Sequence, residues 1–269
     1  LSQLAQRSLR LALVAMGTDT DRCQWGRRLA ATAVVGIALG LIAAPAASAA
    51  DNPIMGLWPI DEGSGQTAYD YSGKGNRGVL GATSAVETSD PSWFTVSSSG
   101  SHKRSALRFD GADYVTIADS PTLEPTRISV GAVVRATSTP GPFRYIVSKG
   151  ALRCETASYG LYTGPNGGLI FYVSNGAQYV LSADAGAQLW DGAWHVVLGT
   201  FDGGLVRLFV DGREVGTSTM TSISLAYGFP DNDRFYIGDY RGSCGSELGF
   251  IGDVDAVAVA NRAIDWSGN

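Results

Sequence analysis

The chain has 269 residues, 45% hydrophobic and 10% aromatic, with 20 basic and 25 acidic side chains and a formal net charge of −5. This apolar content excludes a disordered polymer. The acidic balance, without a basic cluster, excludes a nucleic-acid binder.

Residues 1–49 read as an N-terminal extension and secretory signal. Arg27-Arg28 precede an uncharged apolar run, Leu29 to Ala44, and Ala47-Ser48-Ala49 supplies the small residues of a cleavage site. The run is shorter than the roughly 20 residues a span needs, so the mature chain is expected to have no membrane span. Residues 50–269 then form one domain with 15 basic and 23 acidic side chains, a net charge of −8. Cys23 leaves with the signal. Cys154 and Cys244 remain in an oxidising compartment, where a disulfide between them is the default. His102 and His195 have no ligand spacing with either cysteine, which argues against zinc.

Along the domain the pattern is that of β-strands. Ile54 to Ile60 is a first strand, marked by Pro59 as an edge or irregular one. Tyr69-Asp70-Tyr71 is extended, and the glycines of Ser72 to Gly78 make a tight loop before Val79-Leu80. Residues 82–104, rich in serine, read as a surface excursion packed down by Trp93-Phe94. Leu107-Arg108-Phe109 and Tyr114 to Ile117 flank Asp110-Gly111 and read as a hairpin. Asp119-Ser120-Pro121-Thr122-Leu123 reads as a turn with room for one helical turn, and Ile128 to Ala136 as a long buried strand. Three strands follow at Tyr145–Ser148, Tyr159–Tyr162 and Leu169–Val173, the last two joined by Pro165-Asn166-Gly167-Gly168, and then Tyr179–Leu181.

The centre of the domain is WHVVLGTFDGGLVRLFVDGREVG, Trp194 to Gly216. Its first strand is apolar on both faces, so it belongs in the middle of a covered sheet. Asp202-Gly203-Gly204 and Asp211-Gly212 turn the chain twice, because Gly and Asp tolerate the positive φ of type I′ turns. Phe235 to Gly238 is a further strand, and Phe250 to Val259 alternates, with Ile251, Val254, Val257 and Val259 among Asp253 and Asp255. Strands at about ten-residue spacing with no convincing helix point to an all-β, two-sheet antiparallel sandwich.

Five stretches, in order, resemble the laminin G-like jelly-roll domains of the concanavalin A-like lectin/glucanase superfamily: Asp70 to Gly78, Ala106 to Gly111 with Tyr114-Val115, Ile128-Ser129-Val130, Trp194 to Gly212, and Gly252 to Val257 with Asn261-Arg262-Ala263. Val133 stands near a position where the family usually carries Trp. The resemblance implies a jelly roll, is compatible with a disulfide tying adjacent loops, and implies one structural calcium ion near the sheet rim, with Asp70, Asn76, Asp110 and Asp255 at the matching positions.

The superfold includes glucanases, whose paired carboxylates lie on one strand as Glu-x-Asp-x-x-Glu. That motif is absent; Asp253-Val254-Asp255 is the nearest match, and Glu62, Glu87, Glu124, Glu155, Glu214 and Glu247 are isolated. No catalytic residue is therefore assigned, and His195 is given a structural role. The loop aromatics Tyr227, Phe229 and Tyr240, near Arg234, Asp239 and Arg241, are the candidates for stacking on a sugar, and Tyr179 and Trp190 are others. The sequence thus supports a secreted, non-catalytic binding module for a polysaccharide or glycan. The alternative is an extracellular protein-interaction or scaffold domain of a cell-surface protein, with a glycoside hydrolase behind both.

Overall fold

A computed structural model describes residues 52–99, 102–154, 156–242 and 248–266, without the side chains of 97–99 and 102–103. Among these the strands are β1 (Ile54–Trp58), β2 (Thr67–Ala68), β3 (Gly78–Leu80), β4 (Ser92–Ser99), β5 (His102–Asp110), β6 (Val115–Ile117), β7 (Ile128–Arg135), β8 (Tyr145–Ala151), β9 (Tyr159–Thr163), β10 (Leu169–Ser174), β11 (Tyr179–Leu181), β12 (His195–Phe201), β13 (Leu205–Val210), β14 (Arg213–Glu214), β15 (Thr219–Met220), β16 (Asn232–Ile237) and β17 (Ile251–Ala260). They form a nine-stranded sheet in the order β14-β13-β12-β7-β17-β5-β4, with β1 on β17 and β15 on β13, and an eight-stranded sheet in the order β11-β10-β9-β8-β16-β6-β3-β2. Among the described residues the fold is all-β, two antiparallel sheets with a shared core, as a jelly-roll sandwich requires.

The core lies between the sheets. Val130, Val134, Val197, Phe201, Val206 and Leu208 of the nine-stranded sheet meet Val147, Tyr159, Leu161, Phe171, Phe235 and Ile237 of the eight-stranded one. The sheets approach closely where Phe171 packs on Gly199, whose missing side chain makes room for the ring. The centrality of β12 is confirmed: it lies between β7 and β13, and residues 196–201 are buried. Its outer face is closed by Trp194 and Val196 with Ile264 and Trp266 of the last described segment. That segment is pinned to β7 through the Ser129 hydroxyl, which donates to Arg262 O and accepts from Ile264 N.

Three sequence expectations are corrected. Leu107–Phe109 and Tyr114–Ile117 are not a hairpin: β5 pairs with β4 and β17 in one sheet, β6 with β3 and β16 in the other, and Asp110-Gly111 carries the chain across. The serine-rich excursion contains the edge strand β4, held by Trp93, which packs on the core and donates Nε1–H to Gly65 O. In β17 the apolar set spaced Val254, Val257, Val259 points one way because a bulge between Val254 and Ala256 absorbs the extra residue. Ile251, expected with that set, is exposed.

Candidate functional site

The outer face of the eight-stranded sheet carries a row of tyrosines. Side chains alternate along each strand, so Leu161 and Phe171 point into the core while Tyr162 and Tyr172 point out. Register then aligns the outward rings across four strands. Tyr145 on β8 lies opposite Tyr162 on β9, the rings stacked at 5.2 Å. Tyr172 on β10 lies opposite Gly160 and meets Tyr162 edge-on, also at 5.2 Å. Tyr179 on β11 lies opposite Ser174 and ends the row at the sheet edge, 57% exposed. Tyr240 closes over Tyr145 at 4.9 Å. Burial raises the hydroxyl pKa of Tyr145, Tyr162 and Tyr172, to about 12 for Tyr162, so all are neutral donors and acceptors at physiological pH.

Charged and amide groups flank the row. Asp239 is buried, and its Oδ1 accepts from Tyr240 N while Oδ2 accepts from Arg241 Nη1 at 3.3 Å. Burial raises its pKa to about 6. The Arg241 guanidinium lies 4.5 Å from the Tyr114 ring centroid, and Tyr114 meets Tyr236 edge-on. Asn232 Nδ2 donates to the Tyr236 hydroxyl and to Arg241 O. The arrangement is a packed aromatic cluster, its rings stacked or edge-on, in which Tyr162 and Tyr172 are buried and Tyr179 offers an exposed ring at the sheet edge, with guanidinium, carboxylate and amide groups at its margin.

Of the late-loop aromatics singled out in the sequence, Tyr227 and Phe229 lie elsewhere. Tyr227 is half-buried, donates its hydroxyl to Pro125 O and meets Tyr159 edge-on; Phe229 is buried against Gly150 and Gly176. The Tyr240 hydroxyl donates to Thr156 O and accepts from Leu152 N. All three are packing residues in this structure, and Tyr240 alone belongs to the tyrosine cluster.

The four residues expected around an ion are each engaged by other groups of the protein. Asp70 is the organiser of its own loop, accepting from Leu57 N, Ser72 N, Ser72 Oγ and Asn76 N. Asn76 Nδ2 donates to Met55 O and Thr122 Oγ1. Asp110 caps the Ala112 N–H, and Asp255 is ion-paired with Arg104 at 2.5 Å. The acidic group that does converge among the described residues is Asp119, Glu124 and Asp233. Cys154 ends the turn after β8; Cys244 lies outside the described residues.

Asp253 and Asp255, the nearest match to a catalytic carboxylate pair, are both buried and both taken by arginines. Arg108 Nε and Arg135 Nη2 reach Asp253 at 2.8 and 2.5 Å, and Arg104 holds Asp255. Arg135 in turn lies over Trp194 at 4.6 Å. His195 bridges Asp211 at 2.8 Å and Asp191 at 3.1 Å, a link between two loops. Of the row, Tyr179 alone is a stacking candidate from the sequence, because nothing local marks the rest: Tyr162 and Tyr172 lie inside their strands, and only the register brings the rings together.

The family model described as the concanavalin A-like lectin/glucanases superfamily matches residues 109–267. No curated protein matches the sequence. Among solved structures, domain 4 of an extracellular arabinanase from Geobacillus stearothermophilus, in complex with arabinotriose, is 14% identical with a TM-score of 0.54, over 79% of this chain and 94% of that one. A Trypanosoma rangeli sialidase in complex with sialic acid is 16% identical with a TM-score of 0.55, over 96% of this chain and 37% of its own. A botulinum neurotoxin type C structure, described with cell entry dependent on two ganglioside molecules, is 10% identical with a TM-score of 0.52, over 80% and 49%. At these identities the likeness is one of fold.

Proposed function

The chain belongs to the concanavalin A-like lectin/glucanase superfamily, and from that premise we propose that it is an exported, non-catalytic glycan-binding module whose platform is the outer face of the eight-stranded sheet. The observation that carries this reading is the exposed ring of Tyr179 at the sheet edge, backed across the strands by Tyr145 and by the buried Tyr162 and Tyr172. The pairing of Asp253 and Asp255 with arginines supports the non-catalytic part, since guanidinium groups occupy the oxygens that would have to reach a substrate. Solved relatives of the same fold carry arabinotriose and sialic acid, which supports a glycan as the ligand class.

Two further parts belong to this reading. The apolar run after Arg27-Arg28 supports export. A disulfide between Cys154 and Cys244 is supported by proximity of the flanking residues: a β-carbon on Gly242 would stand 3.2 Å from Ala151 Cβ, and the Tyr240 hydroxyl bridges Leu152 and Thr156 around Cys154.

The test is a glycan array and polysaccharide pull-down on the purified protein, wild type against Tyr179→Ala. Selective retention by the wild type, weakened about tenfold in the variant, is expected. Retention untouched by Tyr179→Ala would move the site off this face, and no retention on any glycan would favour recognition of an extracellular protein.

A further inference from the structure

Lys149 faces inward near the end of β8 and is wholly buried, a placement lysine rarely tolerates. Its ammonium is surrounded by oxygen. Asp119 Oδ1 lies at 2.9 Å, Glu124 Oε1 at 3.0 Å, Asp233 Oδ1 at 2.9 Å and the Asp233 main-chain oxygen at 2.6 Å. The Tyr227 ring centroid is 5.6 Å away. An ammonium has three N–H donors, yet four oxygens stand within bonding distance, so they crowd the nitrogen as ligands crowd an ion. Three carboxylates and one carbonyl are also the hard-oxygen set that calcium takes. The charges do not balance either, because three carboxylates face one ammonium.

These ligands come from separate parts of the chain. Asp119 and Glu124 flank the helical turn Pro121–Leu123, and Asp233 lies on β16. Asp233 Oδ2 accepts from Gly228 N, and the Tyr227 hydroxyl reaches Pro125 O. The cation therefore gathers the loop after β6, the loop before β16 and the end of β8 into one rim.

We propose that the Lys149 side chain is a tethered replacement for a divalent metal: the native protein holds this rim without an ion, and deletion of the ammonium opens a calcium site made of Asp119, Glu124, Asp233 and the Asp233 carbonyl. The side chain of Asp119 is 48% exposed, so an ion has a way in. Calcium–oxygen distances of about 2.3–2.6 Å require only a small contraction of the ring of ligands. The reading does not depend on what occupies the tyrosine face.

Thermal denaturation in EDTA and in CaCl2, with isothermal titration of CaCl2, tests it on the wild type, Lys149→Ala and the stem-preserving Lys149→Met. The wild type is expected to melt at one temperature in both media and to show no binding heat. The variants are expected to melt lower in EDTA and to gain about 5–10 °C at a hundredfold excess of calcium over its dissociation constant. Adding Asp119→Asn to Lys149→Ala should abolish the gain. A wild-type melting point that moves with calcium, or failure of both variants to recover stability in calcium, overturns the proposal.

Discussion

The ring of Tyr172 lies across Gly160, its partner on the neighbouring strand, so closely that a β-carbon there would stand 2.8 Å from the ring and 2.8 Å from the Val147 carbonyl oxygen. Neither neighbour yields easily, since one is main chain and the other is wedged among Tyr145 and Tyr162. Gly160→Ala is expected to cost about 1–3 kcal/mol by overpacking. Chemical denaturation reads this directly; an unchanged midpoint would mean that the sheet relaxes freely there.

Tyr240 and Tyr179 separate stability from binding. Tyr240→Phe removes a hydroxyl that accepts from Leu152 N and donates to Thr156 O, and is expected to destabilise by about 1–3 kcal/mol. Tyr179→Ala removes an exposed edge ring and should change stability by less than about 0.5 kcal/mol. Equal losses of stability in the two variants would contradict this division.

Acidity should stabilise the protein down to about pH 4. His195, hydrogen-bonded to Asp211 and to Asp191, has its pKa raised above 6.5. Its contribution is complete below the unfolded value and is lost as pH rises through the folded one. Burial raises Asp113 and Asp239 from 3.8 to about 6, so the folded state binds more protons than the unfolded state between those values, and stability falls as pH climbs through that window. Asp211 opposes both: although burial raises it, bonds from His195 and Val196 N leave it lowered, and its contribution disappears below 3.8. The melting temperature is therefore expected to be higher at pH 5 than at pH 8. Asp239→Asn should flatten the acidic slope and His195→Gln the slope that begins at about pH 6.5.

Reduction should loosen the turn around Cys154. A Cys154–Cys244 bond closes a loop of about 90 residues, worth about 4 kcal/mol by chain entropy. Intact mass two units below the reduced chain, and a lower melting temperature in dithiothreitol or in Cys154→Ser, are the expected results. Free thiols on the oxidised protein would remove the bond from the account.

Much of the fold was legible because its strands are amphipathic or wholly apolar and its turns chemically marked. Asp211-Gly212 shows both successes and failures of that reading. There φ is 49° and 80°, the paired positive values of a tight hairpin turn. The same dipeptide at Asp110-Gly111 has positive φ at the glycine alone, and the chain crosses to the other sheet. Local sequence does not distinguish the two; the tertiary packing of Gly249 on Gly111 does. The bulge in β17 and the tyrosine row were hidden for a related reason, since both are properties of register. Lys149 was hidden more deeply: a lone lysine in an apolar strand says nothing of three carboxylates 25 to 84 positions away.

The pairing of β1 with β17 has a mechanical meaning. Ile54 lies opposite Ala260, and Asn261 N donates to Pro53 O, so the first and last strands run side by side in the nine-stranded sheet. The tyrosines stand on the other sheet, facing away. Tension applied through both ends would first strip residues 262–266 from Ser129 and from Trp194, and then peel β1 from β17 one hydrogen bond after another from the Pro53–Asn261 contact, instead of shearing the whole ladder at once. The closing segment acts as a latch over that corner, and the latch is where the domain would begin to yield under load.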